Sequence, residues 1–169
     1  IIENLFSDSN NSNNNISFYK NQSSKVLDEY NINKLAQSNV AFADFNNDGL
    51  IDIAMSNYSG DNISVLLALK TDSFASEVLY TAGNGTYDIA TGYFNNDSAI
   101  DIVVSNNIDD NISVFLNNGS GTFAAKVNYT AGNGARGIVT GDFNNDTITD
   151  IVVANDLEEF GAQGITVHP

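Results

Sequence analysis

A repeat of 49 residues constrains this sequence more than any other feature. The polar stretch DFNNDGLID begins at residue 44, YFNNDSAID at residue 93 and DFNNDTITD at residue 142, so both intervals are 49 residues. The segments DNISV (residues 61 and 110) and YTAGNG (residues 80 and 129) return at the same offset. A fixed period of this length is typical of proteins in which supersecondary units stack and bury their apolar faces against one another.

The repeat divides the chain into four parts. Two complete repeats cover residues 44–92 and 93–141, and a partial third covers residues 142–169. A degenerate partial unit covers residues 1–43, where NISFY echoes the later NISVL. The chain therefore holds about three and a half repeats.

Each repeat is expected to contain four short strands. The runs DIAMSN, NISVLLAL, SEVLYTAG and YDIATGYF are rich in Ile, Val, Tyr and Thr and are separated by Gly, Asn and Asp. The AGNG segments predict hairpin turns, and KVLDEYNINKL, from residue 25, is the one candidate helix. This pattern predicts an all-β fold of β-propeller-type blades, each with four antiparallel strands. A parallel solenoid is the alternative, although its coils are usually shorter.

A divalent cation explains why the repeated stretch places acids and amides at alternate positions. Their like charges repel unless a cation lies between them, and Ca²⁺ takes roughly six to eight oxygen ligands. A single copy could equally be a polar turn, but three copies in register favour calcium. In the first stretch the predicted ligands are the side chains of Asp44, Asn46, Asp48 and Asp52 and the carbonyl of Leu50. In the third they are Asp142, Asn144, Asp146 and Asp150, with the carbonyl of Ile148.

The second stretch departs from this pattern. Tyr93 replaces the first Asp and Ser98 replaces the glycine. The remaining predicted ligands are Asn95, Asp97 and Asp101, with the carbonyl of Ala99. One carboxylate fewer predicts weaker calcium binding here, or none. In the third stretch Thr147 replaces Gly49, which costs about 1 kcal/mol if that position requires a positive φ.

The same segments resemble a known repeat family. AFADFNNDGLIDIAMSN, TGDFNNDTITDIVVAND and NISVFLNNGSGTF resemble the FG-GAP/VCBS repeats of integrin alpha-chain propellers and of many surface proteins. The resemblance covers the chain from about residue 15 onward, and it implies four-stranded blades with a calcium-binding loop between the first strands. Closed propellers typically need at least four blades, so the count implies an incomplete or open propeller or array. Uncovered faces and strand edges favour association.

Charge and hydropathy exclude two classes of partner. The formal net charge is −15 with only six Lys and Arg, which argues against binding of nucleic acid. The sequence has no apolar run near 18 residues, so no membrane insertion is expected.

Asparagine is unusually frequent, with 27 residues in 169, and many lie in N-x-S/T sequons. This density favours an extracellular location, either secreted or on a cell surface, with N-linked glycans. The predicted glycosylation sites are Asn62, Asn84, Asn111, Asn118 and Asn128.

The sequence contains no evident nucleophile with a paired base, so no enzymatic activity is expected. A calcium-binding module of an extracellular glycoprotein is the favoured function, with a structural or adhesive role and assembly with other copies or neighbouring repeats in a fibre or ring. The alternative is a lectin-like module that binds glycans or extracellular proteins, with Tyr58, Tyr87 and Tyr93 stacking on sugars. Ordinary packing of these tyrosines is the competing interpretation.

Overall fold

The computed structural model describes residues 39–71 and 73–156, together with the backbone of three strands at 15–16, 32–33 and 163–168. The chain divides into two compact units, residues 1–36 and 37–169. In the first unit, strand β1 (Asn15–Ile16) pairs antiparallel with β2 (Ile32–Asn33). Most of the predicted unit 1–43, including most of the candidate helix from residue 25, lies outside the described residues.

The second unit contains three antiparallel sheets. The first has the order β3 (Val40–Ala43), β4 (Asp52–Asn57), β5 (Asn62–Leu66) and β8 (Val78–Thr81). The short strands β6 (Ala68–Leu69) and β7 (Ser73–Phe74) pair with each other between β5 and β8, and a 3₁₀ turn covers Tyr58–Gly60. The second sheet contains β9 (Thr86–Gly92), β10 (Asp101–Asn106), β11 (Asn111–Phe115) and β12 (Val127–Thr130). The third contains β13 (Ala135–Gly141), β14 (Asp150–Asp156) and β15 (Gln163–His168).

These sheets confirm the predicted all-β fold of propeller-type blades. In the first two sheets, four strands follow one another in sequence order, and every neighbouring pair is antiparallel. Each sheet begins one strand before the corresponding repeat limit, because the polar stretch joins its first strand to its second. No helix in the described part of the chain is long and apolar enough to cross a membrane.

The AGNG segments do not form hairpin turns within a sheet, so that prediction is wrong. Residues 82–85 connect β8, the last strand of the first sheet, to β9, the first strand of the second sheet. The turn residues Asn and Gly are used as expected, but the chain passes there from one sheet to the next. The residue types correctly predicted a turn. Whether the strands on either side of it pair with each other depends on how whole sheets pack, which the local sequence does not show.

The core lies in two layers, on either side of the second sheet. Successive side chains of a strand point to opposite faces, and all six residues of β10 are buried. Ile102 and Val104 pack in the layer with the first sheet, while Val103 packs in the layer with the third. Each such side chain contributes about 1.5–3 kcal/mol when it leaves water. The second repeat is therefore stabilised by both of its neighbours.

Serine hydroxyls connect consecutive sheets at their second strands. The hydroxyl of Ser56 accepts a hydrogen bond from the Asn39 N–H (3.0 Å) and donates to the carbonyl of Tyr87 in the next sheet (2.8 Å). Ser105 repeats the arrangement 49 residues later and donates to the carbonyl of Arg136 at 2.5 Å. The repeat period therefore appears in the contacts between sheets as well as within them.

Candidate metal-binding loops

The first polar loop gathers the oxygens of three predicted ligands around its own backbone. The Asp48 N–H donates to Asp44 Oδ1 (3.0 Å) and to Asn46 Oδ1 (3.1 Å). The Gly49 N–H donates to Asp44 Oδ2 (2.8 Å), and the Leu50 N–H donates to Asp48 Oδ1 (2.9 Å). Side chains at the first, third and fifth positions therefore place oxygens around the loop backbone, and Asn46 Nδ2 donates to Asp48 Oδ2 (3.2 Å).

The third loop has the same geometry. The Asp146 N–H donates to Asp142 Oδ1 (3.1 Å) and Asn144 Oδ1 (2.9 Å). The Thr147 N–H donates to Asp142 Oδ2 (2.9 Å), and the Ile148 N–H donates to Asp146 Oδ1 (2.8 Å). The two loops with an Asp at the first position therefore form equivalent oxygen clusters, which suit a hard cation such as Ca²⁺.

The second loop uses its first position differently. The Tyr93 N–H donates to Thr149 Oγ1 and the Tyr93 carbonyl accepts from the Thr149 N–H, both at 3.0 Å. The side chains of Asn95 and Asp97 still accept hydrogen bonds from the loop backbone. The Asp97 N–H donates to Asn95 Oδ1 (3.2 Å), and the Ala99 N–H donates to Asp97 Oδ1 (2.8 Å). This loop therefore connects the second and third repeats through its backbone and presents fewer ligand oxygens.

The ninth position of every loop has a role that the sequence did not assign. Asp52, Asp101 and Asp150 are almost completely buried, unlike the acids earlier in the loops. Each accepts the N–H of the phenylalanine at the second position of its own loop, at 2.8–3.0 Å. This bond fixes the start of the loop to the start of the following strand.

Two of these aspartates also hold a second segment. Asp52 Oδ1 accepts the N–H of Ala68 (2.7 Å), and Asp101 Oδ1 accepts the N–H of Asn117 (2.8 Å). Burial raises the pKa of both carboxyl groups; their backbone hydrogen bonds oppose that rise, while nearby acids such as Asp48 and Asp97 add to it. Such groups are costly to bury as anions unless hydrogen bonds or a cation compensate.

The structure therefore divides the predicted ligands into two groups. The side chains at the first, third and fifth positions accept N–H groups of the loop itself, whereas the buried ninth-position acids accept the N–H of the second-position Phe. Among the described residues no three Asp, Glu or His side chains gather closely enough to form a metal site on their own. A metal site in the first or third loop would therefore need the amide oxygen of Asn46 or Asn144. Metal binding by all the predicted ligands, including the Leu50, Ala99 and Ile148 carbonyls, stays a prediction.

Backbone dihedrals separate the second loop from the other two. The fourth-position Asn is left-handed in all three loops, with φ of 57°, 59° and 63° at Asn47, Asn96 and Asn145. At the sixth position of the loop, φ is 85° for Gly49 and 74° for Thr147, whereas φ of Ser98 is not positive. A β-branched residue in this conformation is strained. The third loop therefore keeps the conformation of the first at an energetic cost, while the second does not.

The predicted glycosylation sites differ in accessibility. Asn84, Asn118 and Asn128 are exposed, while Asn62 and Asn111 are half-buried. The last two accept hydrogen bonds from the buried Asn57 and Asn106 at 2.7 and 2.6 Å. Attachment of glycans at these positions stays a prediction.

The tyrosines proposed to stack on sugars are mostly used in packing. Tyr58 and Tyr87 meet edge to face with ring centroids 6.2 Å apart, and the Arg136 guanidinium lies 5.3 Å from the centre of the Tyr87 ring. Tyr93 is exposed. These contacts across consecutive sheets favour the packing interpretation for Tyr58 and Tyr87.

Sequence reasoning missed a set of contacts between consecutive sheets. Asp61 Oδ1 accepts the N–H of Gly85 (2.8 Å), and Asp110 Oδ1 accepts that of Gly134 (2.7 Å) one repeat later. Both aspartates are left-handed, with φ 51° and 53°. The return of DNISV and AGNG at a common offset was the available signal, but their juxtaposition depends on sheet packing.

A second set of these contacts is incomplete in the first repeat. Asn106 Oδ1 accepts the N–H of Gly83 and Asn155 Oδ1 that of Gly132, both at 3.0 Å. The first-repeat counterpart is Asn57, whose Oδ1 is buried and has no hydrogen-bond partner among the described residues. Each of the two later asparagines thus binds the turn that precedes its own sheet.

Comparisons with known proteins give a family match and a structural match. The sequence matches the FG-GAP-like repeat family over residues 44–104 and 93–153. A chain in the structure of the Tc holotoxin pore of Photorhabdus luminescens is similar with 12% identity and a TM-score of 0.49, covering 78% of this chain. This chain spans 6% of the length of that toxin chain. No curated protein matches the sequence.

Replacing Thr147 by glycine should stabilise the protein. The substitution Thr147→Gly removes a Cβ from a position with φ 74°, and we expect a gain of about 1 kcal/mol in the free energy of unfolding. Ser98→Gly is the matched control, because Ser98 occupies the same loop position without positive φ. It should destabilise by about 0.5–1 kcal/mol. Urea denaturation measures both, and an equal effect of the two substitutions would contradict the strain at Thr147.

Proposed function

Since the chain belongs to the FG-GAP-like repeat family, we propose that it is a calcium-stabilised structural module of an extracellular glycoprotein that packs against further repeats. Its role is structural or adhesive rather than enzymatic. The partners are other copies of the chain or neighbouring repeats.

Contacts that recur with the repeat period carry this proposal. The serine bridges, the Asp61 and Asp110 contacts and the Asn106 and Asn155 contacts all connect one sheet to the next. Among the described residues, the Asn57 acceptor of this series is buried without a partner. An unsatisfied buried acceptor costs about 1–3 kcal/mol. Gly83 and Gly132 satisfy its counterparts, and the position one period before Gly83 is residue 34 of this chain, which lies outside the described residues.

Calcium suits the first and third loops by the chemistry of their donors. Asp44, Asn46 and Asp48 present converging oxygens in the first loop, and Asp142, Asn144 and Asp146 do so in the third. Carboxylate and amide oxygens are the ligands that Ca²⁺ prefers. The ion would neutralise acids that otherwise repel one another in a chain of net charge −15. The buried aspartate at the ninth position accepts the N–H of the second-position Phe and so fixes each loop to the strand that follows.

An extracellular location is supported by the sequon density and by the exposure of Asn84, Asn118 and Asn128. A glycan requires a solvent-facing asparagine. The mass of the natural protein before and after enzymatic N-deglycosylation checks this part of the proposal, and an unchanged mass would remove it.

Calcium should raise the melting temperature of the chain. A ligand that binds only the native state at about 100 times its Kd adds about 2.7 kcal/mol, which corresponds to roughly 5–10 °C for a domain of this size. Thermal unfolding in millimolar calcium and in chelator measures the effect. Asp48→Ala should reduce the shift more than its repeat counterpart Asp97→Ala, because the second loop lacks the first-position acid. Identical melting in calcium and chelator would contradict the calcium assignment.

The chain should associate with itself in a concentration-dependent manner. Light scattering after size-exclusion chromatography is expected to give a mass above the 18.1 kDa of one chain. Added salt should promote association, because it screens the repulsion between chains of net charge −15. A folded species that stays at 18.1 kDa at every concentration and salt level would refute the proposed assembly.

A further inference from the structure

Asparagine is followed directly by glycine at three places in this sequence, residues 84–85, 118–119 and 133–134. Such pairs can deamidate, because glycine has no side chain that hinders its backbone nitrogen from attacking the amide of the preceding side chain. All three asparagines are exposed. A difference in their reactivity therefore depends on the hydrogen bonds that each pair makes in the fold.

A carboxylate protects the first and the last of these pairs. The Gly85 N–H donates to Asp61 Oδ1 (2.8 Å), and the Gly134 N–H donates to Asp110 Oδ1 (2.7 Å). Each glycine nitrogen must lose its proton to attack, and a carboxylate is far too weak a base to remove a proton from a backbone amide. The negative charge instead stabilises the N–H and repels the amide anion that would replace it.

Asn84 has a second restraint. Its Nδ2 donates to Asp109 Oδ1 and its own N–H donates to Asp109 Oδ2, both at 2.8 Å. The side-chain amide is thus held against a carboxylate by the nitrogen that would have to leave. Deamidation at this residue would break a charge-assisted hydrogen bond.

The pair at residues 118–119 has a different arrangement. The Gly119 N–H donates to Asn117 Oδ1 (3.0 Å), which is a neutral amide oxygen rather than a carboxylate. Asn118 Oδ1 accepts two hydrogen bonds, from the Ser120 N–H (3.0 Å) and from the Ser120 hydroxyl (2.7 Å). A backbone N–H can only donate, so it fixes which atom of the Asn118 amide is the oxygen.

These two donors favour attack at the Asn118 side chain. Attack on Cγ turns the amide oxygen into an oxyanion, and donors that already point at this oxygen stabilise its charge. The leaving nitrogen, Asn118 Nδ2, donates to Thr122 Oγ1. Gly119 has φ 83°, and a Cβ built on it would lie in open space among the described residues. The fold therefore polarises this amide and leaves the attacking residue accessible to water.

We propose that Asn118 is a deamidation site whose reactivity the fold raises above that of Asn84 and Asn133. The Gly119 nitrogen forms a bond to Asn118 Cγ, the bond from Cγ to Nδ2 breaks, and the Gly119 proton leaves with Nδ2 as ammonia. The product is a succinimide ring. Water then opens the ring at either carbonyl carbon and gives aspartate or isoaspartate, so water is the only co-reactant.

The modification would affect the contact between the first two sheets. Residues 117–123 form a loop that ends at Phe123, whose ring lies 5.5 Å from the Phe45 ring. Asn117 Nδ2 donates to the Phe45 carbonyl (2.8 Å) within the same contact. Isoaspartate at Asn118 would lengthen the backbone of this loop by a methylene group and add a negative charge. Deamidation should therefore loosen the loop from the first sheet.

Deamidation and glycosylation exclude each other at Asn118. This residue begins the sequon Asn-Gly-Ser, and glycans attach to the same Nδ2 that leaves during deamidation. A nitrogen that carries a glycan cannot leave as ammonia. The inference does not depend on the proposed function, because it requires neither calcium nor assembly.

Peptide mass spectrometry tests the proposal on the full chain, produced in a host that attaches no N-glycans and aged in neutral buffer. Replacement of NH₂ by OH raises the mass of the affected peptide. This increase should appear at Asn118 roughly tenfold faster than at Asn84 or Asn133, a smaller factor than one oxyanion donor gives in an enclosed active site. In urea the three sites should react at similar rates, because the contacts made by the fold are lost.

Two results would overturn the proposal. One is a rate at Asn118 in the folded chain that is no higher than the rates at Asn84 and Asn133. The other is an unmodified Asn118 in the folded chain after a time that modifies all three sites in urea.

Ser120→Ala tests the role of the donors, because it removes the hydroxyl and keeps the N–H. It should slow deamidation at Asn118 roughly fivefold and leave the rates at Asn84 and Asn133 unchanged. These two unchanged rates also show that the variant is folded. An unchanged rate at Asn118 would contradict the stabilisation of the oxyanion by Ser120.

Asp110→Asn tests the protection of the last pair. Asparagine suits the left-handed conformation of this position, which has φ 53°, and it keeps an oxygen for the Gly134 N–H while removing the charge. Deamidation at Asn133 should become roughly threefold faster or more, while Asn84 in the same molecule serves as the unchanged control. An unchanged rate at Asn133 would contradict protection by the carboxylate.

Discussion

Burial of the middle sheet on both faces is the constraint on which the rest of the second unit depends. All six residues of β10 are buried, and its alternate side chains enter different core layers. A four-stranded sheet with two apolar faces cannot be stable in water alone, because each uncovered face loses the free energy of burial. Repetition provides the partner surfaces. The second sheet packs against the first on one face and against the third on the other.

Polar contacts fix the register of this stacking. Apolar layers are tolerant of small displacements, whereas hydrogen bonds with defined geometry are not. Ser56 and Ser105 join the second strand of one sheet to the first strand of the next, and Asp61 and Asp110 hold the turns between sheets. These groups are partly or fully buried and would be costly if unpaired. They therefore make one arrangement of neighbouring sheets more stable than its alternatives.

The aspartates of the polar loops serve two purposes, and the structure separates them. Acids at the first and fifth positions lie in the loops and converge on backbone N–H groups together with an asparagine. Acids at the ninth position are buried clamps, present in all three loops, including the second, which has no first-position acid. The retention of Asp101 is thus explained by backbone hydrogen bonding whether or not the second loop binds a cation. One sequence pattern therefore contains both the predicted ligand positions and a buried aspartate that fixes the loop to the following strand.

The sequence alone determined the period, the strands and the loops, because each depends on residues close together in the chain. Short runs rich in Ile and Val predicted β10 and β14, and three copies in register predicted the ligand positions. It could not assign the AGNG segments to passages between sheets, give Asp52 and Asp101 their clamping role, or reveal that the Phe123 ring packs on Phe45 and Tyr80. Those features join residues up to 78 positions apart, such as Phe45 and Phe123. Only the tertiary packing of one repeat on another brings such residues into contact, and that packing minimises exposed apolar surface over the whole unit rather than within any one segment.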